Sequence, residues 1–160
     1  MFDKFGEFDS VEELNAAAAG LKAEGDRESL LILAEENGID KEDAEDYMDG
    51  CVEELATSLM AALGKLEVEK KDLKPVEIVE DWVEYIRVQC VENPQMAVCL
   101  RKKDKTLKGC IGRLLKWSFS NAYAVDGGII KEAGIKGASV KMGIPGMGRA
   151  KKIIMDYYMG

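Results

Sequence analysis

The sequence predicts a mainly α, compact multi-helix protein, with room for a short strand or an irregular glycine-rich segment only in its C-terminal part. Three observations predict it. Apolar residues recur at three- and four-residue spacing through most of the chain. Glycines stop helices at Gly25, Gly38 and Gly50, and after the first two an aspartate, Asp26 and Asp40, is placed to start the next one. Pro75 and Pro94 stand where helices begin or end.

Ser10-Val11-Glu12-Glu13 has the form of a capping box, so the first helix starts there. Val11, Leu14, Ala18 and Leu21 share one face, and Gly25 with Asp26 supplies a stop and a new N-cap. The second helix carries Leu30, Leu31, Leu33 and Ala34 as far as Gly38. Asp40 opens a short third helix through Tyr47, closed by Gly50. Residues 51–65 read as a fourth helix, with Val52, Leu55, Leu59 and Leu63 at helical spacing, followed by a charged connector from Glu67 to Lys74.

Pro75 suits a first helical turn, and Val79, Trp82, Val83, Ile86 and Cys90 form the clearest apolar stripe in the chain. Asn93-Pro94 ends that helix. Met96 to Leu100 is too short for periodicity to separate a helical turn from a strand. A helix from about Lys105 to Ala124 follows. Eight glycines lie beyond Asp126, and Gly143-Ile-Pro-Gly-Met-Gly148 is a turn cluster before a last helix of about ten residues ending in Tyr157-Tyr158. The expected organisation is an acidic helical N-terminal region (residues 1–66) and a helical core with a basic, glycine-rich C-terminal segment (residues 75–160), able to form one cooperative domain.

Composition narrows the function. With 160 residues, 47% hydrophobic and 32% charged, the chain is long and apolar enough to fold alone. No apolar run approaches the roughly 20 residues that span a bilayer, and the N-terminus has neither the basic nor the apolar region of a secretion signal. A cytoplasmic protein is expected, with no membrane partner. The four cysteines have no C-x-x-C spacing and no histidine stands anywhere in the chain, so no zinc set is expected and the thiols read as buried and free. The lack of histidine also removes Ser-His and Cys-His catalysis. No enzyme activity, cofactor or metal is expected.

The net charge of −8 hides a polarity. Residues 1–60 carry 18 acids and 4 bases, whereas residues 101–160 carry 4 acids and 13 bases. Asymmetry of this size speaks to partners, because summed charge steers encounter without dictating a fold. Asp40, Glu42, Asp43, Glu45, Asp46, Asp49, Glu53 and Glu54 make the acidic candidate surface, with Lys41 the one base among them. On an unbroken helix Glu42, Asp46, Asp49 and Glu53 would form a row able to stand in for phosphates, although Gly50 interrupts it. Solubilising charge is the other reading. These acids do not form a calcium loop, which lacks its sixth-position glycine and closing glutamate here.

The basic candidate surface is Lys102, Lys105, Arg113 and Lys116, joined by Arg149, Lys151 and Lys152. On one continuous helix the first four fall within about 80° of one another, with Gly109 leaving a gap where a backbone could approach. Leu107, Cys110, Ile111 and Leu114 line the opposite side. Trp117, Phe119 and Tyr123 near the end could stack on bases, or this could be a solvated face over core aromatics. Gly143–Lys152 lacks the strand and the G-K-[ST] ending of a phosphate loop and reads as a structural turn.

Lys105-Thr-Leu-Lys-Gly-Cys110, then a helix, a glycine-rich stretch and a terminal helix ending in Tyr157-Tyr158, resembles the PcfK-like family carried by conjugative plasmids and related mobile elements. Part of that family is linked to inhibition of Cas9. The resemblance implies an anti-CRISPR protein of the bacterial cytoplasm that binds a Cas9-type effector or its guide-RNA complex. A nucleic-acid-binding accessory protein of a mobile element is the alternative, and pairing of the oppositely charged ends, within one molecule or between the protomers of a homodimer, is a third arrangement.

Overall fold

A computed structural model describes residues 1–137 and 139–160. Its regular structure is nine helices and one two-stranded sheet among the described residues, the mainly α, compact architecture that the sequence predicts.

Helices α1 (Val11–Glu24), α2 (Arg27–Glu36) and α3 (Lys41–Asp49) open the chain. Each boundary has a local cause. The Ser10 hydroxyl accepts from the Glu13 N–H (3.2 Å), and the Glu13 carboxylate accepts from the Asp9 N–H (2.8 Å). Gly25 and Gly50 end their helices with φ of 71° and 80°, in the left-handed region that glycine adopts without steric cost. Leu14, Leu30, Leu33 and Tyr47 bury together with Leu55, Ala56 and Ala61 as a first apolar core.

The fourth helix differs from its prediction. Residues 51–55 are a run of bends, Val52 is exposed, and α4 spans Ser58–Leu73, straight through the expected charged connector. Two forces move the boundary. The Thr57 hydroxyl caps α4 by accepting from Met60 N–H (3.2 Å), while the Asn15 side chain grips Ala56 by both its backbone groups (2.9 and 3.0 Å) and so takes that residue out of a helical ladder. Downstream, Leu66 and Leu73 continue the apolar stripe, and Glu67, Lys71 and Asp72 are good or tolerable helix residues on its wet side. Lys74 ends the helix at φ 50°, since Pro75 disfavours a helical residue before it.

Accordingly α5 begins at Ile78, three residues after Pro75, and runs to Glu92 with Trp82, Val83, Ile86 and Cys90 buried. Pro94 instead occupies the first turn of α6 (Pro94–Arg101), which Asn93 caps by accepting from Gln95 N–H (3.0 Å). Met96 to Leu100 is therefore helical. Helix α7 (Leu107–Ser120) starts at its Thr106 cap and stops four residues short of the predicted end, because the Asn121 amide closes it on the Trp117 carbonyl (2.9 Å). Strand β1 (Tyr123–Ala124), helix α8 (Gly127–Glu132) and strand β2 (Lys141–Met142) follow, with Tyr123 opposite Met142 and Ala124 opposite Lys141 in an antiparallel pair. Helix α9 (Met147–Met159) is longer than predicted and returns to the core.

A second apolar core joins Leu66 and Ala62 of α4 to Trp82, Ile86, Met96, Leu100, Leu107, Cys110, Leu114, Ile154 and Tyr158. Consecutive residues Ala61 and Ala62 thus face different cores, and α4 is the element shared by both. No helix among the described residues is long and apolar enough to cross a membrane.

Candidate functional site

The acidic residues stay on the surface. Glu42, Asp46 and Asp49 are exposed along α3, but Gly50 ends the helix, so Glu53 leaves the row. It joins Asp43, Asp46 and Glu54 around a shallow groove of 310 Å³ whose apolar wall is Val52, Leu55, Ala56 and Met60. Asp49 is paired with Arg27, and Glu45 with Lys41 (3.5 Å). Asp40, Glu42, Asp43, Asp46, Glu53 and Glu54 form no ion pair among the described residues. No three Asp, Glu or Cys side chains among those residues converge to hold a metal ion.

The basic residues are dispersed. Lys102 and Lys105 lie on the turn between α6 and α7, outside the helix that was expected to carry the whole ridge. Lys105 is a strut: its Nζ donates to the Tyr157 carbonyl (2.8 Å) and lies 5.3 Å from the Tyr157 ring centre, with Arg113 5.2 Å from the same ring. Arg113, Lys116 and Trp117 line a 570 Å³ groove between α7 and α9, with Asn121, Ile153 and Asp156, and Arg149 covers the Trp117 ring at 5.9 Å. Lys151 turns to Tyr85 of α5 (5.3 Å), and Lys152 is exposed. Of the seven, Arg113, Lys116 and Arg149 gather about this groove, and Lys105 meets Arg113 only across the Tyr157 ring.

The gap at Gly109 is already filled from within. A Cβ there would fall 3.1 Å from Tyr157 Cζ and 2.9 Å from Thr106 Oγ1. Tyr157 Oη accepts from the Thr106 N–H (2.9 Å), and its ring meets Tyr158 edge-on, centres 4.9 Å apart. Lys105–Cys110 and Tyr157-Tyr158, far apart in sequence, are therefore two halves of one packed joint. Burial pushes the Cys90 and Cys110 thiols up to about 12, so both stay protonated near neutrality, and it raises Tyr158 as well.

Beneath these faces lies a buried charge cluster that the sequence reading missed. Lys65 is fully buried; its Nζ donates to the carbonyls of Lys102 (2.6 Å) and Lys105 (2.9 Å) and sits 2.7 Å from Glu7 Oε1, an ion contact outside hydrogen-bond alignment. Glu69 Oε1 accepts from the Leu107 N–H at the start of α7 (3.2 Å). Arg101 donates to Asn37 Oδ1 (2.7 Å), while its Nε and Nη1 find no partner. The chain start is pinned alongside: Lys4 and Phe5 N–H groups donate to Glu36, and Asp9 accepts from Lys103 N–H (2.9 Å). The cluster thus ties the N-terminal lobe to α4, α6 and α7. Its trace in the sequence was the spacing of Lys65 and Glu69, in step with Ala61, Ala62 and Leu66 on the apolar face of α4.

Burial raises the Glu69 carboxyl to about 6 from an ordinary 4.5, against the pull of Lys65. Between those values the folded protein holds more protons than the unfolded chain, so this group's contribution falls as pH rises through the window and is level above it. The expected penalty at neutral pH is about 2 kcal/mol. Glu69→Gln keeps the acceptor for Leu107, and urea unfolding at several pH values should show the wild type losing that amount relative to the variant between about pH 4.5 and 7. Parallel curves would show that Glu69 is solvated.

Comparison of the chain with protein-family models, with curated proteins and with solved structures gives no match.

Proposed function

We propose that the protein is a stoichiometric inhibitor of a Cas9-type effector, acting by binding rather than catalysis, with its acidic lobe set against the cationic surface that the effector uses for nucleic acid. One observation carries this reading. Six carboxylates of Asp40–Glu54 lack an ion partner among the described residues, and they sit on a lobe with its own apolar core. Unpaired anions on a preformed body cost no internal ion pair when a cationic partner takes them, and they speed encounter more than they add affinity. The neighbouring groove, with Leu55 and Met60 in its wall, offers an apolar anchor of the sort that binding energy concentrates on. A Cas9-type effector presents the matching surface, a positively charged channel for the guide–target heteroduplex and arginines that read the short DNA motif. The PcfK-like resemblance supports the same partner.

Cleavage of a target duplex tests it directly. Purified protein should arrest cleavage at a molar ratio near one to the effector, and unimpaired cleavage at large molar excess overturns the reading. A second reading is favoured by the groove that collects Arg113, Lys116 and Trp117 beneath Arg149, with Phe119 82% exposed at the end of α7. There the protein would bind nucleic acid itself, and DNA alone would shift with it at low salt, the affinity falling steeply as salt rises.

A further inference from the structure

Between Asn121 and Gly146 the chain leaves the core as an arm. Most of its side chains are exposed, α8 buries none, and its two strands are two residues long. Five of the fourteen exposed large apolar side chains among the described residues lie on it: Tyr123, Ile129, Ile135, Met142 and Ile144. A two-stranded ribbon is marginal in water by itself, and this one is seated mainly at its base, where Gly143 lies against the Ser118 carbonyl and Pro145 is buried. An arm of this composition is completed by a surface that covers it.

The charge states what that surface is. Lys131, Lys136 and Lys141 outnumber Asp126 and Glu132, with Arg149 just beyond, so the cover is acidic as well as apolar. The chain carries such a surface at its other end: the groove rimmed by Asp43, Asp46, Glu53 and Glu54 over Val52, Leu55 and Met60. Among the described residues no hydrogen bond or ion pair joins the arm to residues 1–60. The exposed apolar side chains of the arm are mostly aliphatic, Ile129, Ile135, Met142 and Ile144 beside one aromatic, Tyr123, a composition that suits an apolar protein groove better than a row of stacked bases. We propose that the occupant is a second copy of this chain, the arm of one protomer seated in the acidic groove of the next. The two patches differ, so the contact is head to tail and extends to a chain or closes into a ring.

Sedimentation velocity on the full chain tests this without any effector, so its outcome is separate from that of the cleavage assay. From about 1 to about 200 µM at low salt, the wild type should pass from monomer to species of at least twice its mass, and added salt should reverse this. An arm variant (Ile129→Glu, Ile144→Glu) and a groove variant (Glu53→Lys, Glu54→Lys), all at exposed positions, should each stay monomeric alone. Mixed one to one, they retain one good arm and one good groove and should form a heterodimer that grows no further. A wild type that stays monomeric, a groove variant that associates like the wild type, or a mixture that stays monomeric overturns the proposal.

Discussion

Replacing Lys65 by methionine should cost about 3–5 kcal/mol of folding stability, the usual toll of breaking a buried ion cluster by removing one partner. Methionine keeps the apolar stem, so the loss isolates the ammonium. Without it the Lys102 and Lys105 carbonyls lose their donor, and Glu7 and Glu69 face each other across a site with no cation but Arg101. Against a total of about 5–15 kcal/mol, that is a large share of the protein's stability. Denaturant unfolding measures it, and a loss under about 1 kcal/mol would place the ammonium in water. Adding Glu69→Gln to Lys65→Met should recover part of the loss, since the two groups share one network and their effects do not add.

Gly64→Ala should be the next most damaging change, at about 2–4 kcal/mol. In an ordinary helix interior the substitution would stabilise by about 1 kcal/mol, so even the sign is diagnostic. Here the α4 backbone lies against the turn between α2 and α3. A Cβ on Gly64 would approach the Asn37 carbonyl oxygen closer than 3.0 Å, a separation real Cβ atoms essentially never show, and one on Gly38 would lie 2.7 Å from Gly64 Cα. Gly38 also holds a φ of 66°. Alanine must push the turn away, and the Asn37–Arg101 bond moves with it. Gly112→Ala on α7 is the control, because a Cβ there meets nothing within 4 Å; thermal unfolding of the two variants should shift in opposite directions.

The legible parts of the fold were those with local causes. Ser10 and Asp26 cap helices by contacts with residues three positions away, and Gly25 and Gly50 stop them through their own backbone freedom. Where distant residues decide, local reading failed. Residues 51–57 have helical spacing, yet Asn15, more than forty residues upstream, takes the backbone groups of Ala56. Glu69 looks like part of a wet connector, and Lys65 like the polar end of a helix, because their partners are the α6–α7 turn and the chain start. The acids from Asp40 to Asp49 needed only their helix to be placed, whereas Glu53 and Glu54 lie on the bends that precede the Asn15 grip on Ala56. The basic ridge needed to know that Lys105 and Gly109 are spent on Tyr157, which only the return of α9 reveals.

The central claim is that the acidic lobe, not the basic face, engages the partner. Titrating a Cas9-type effector's cleavage of a target duplex with three proteins tests it: the wild type, Glu42→Lys with Asp46→Lys, and Lys116→Glu with Arg149→Glu. The account predicts arrest near a one-to-one ratio by the wild type and by the basic-face variant, with the acidic-face variant weakened by at least about tenfold, or roughly 1.4 kcal/mol. Equal inhibition by the acidic-face variant, or loss confined to the basic-face one, would contradict it.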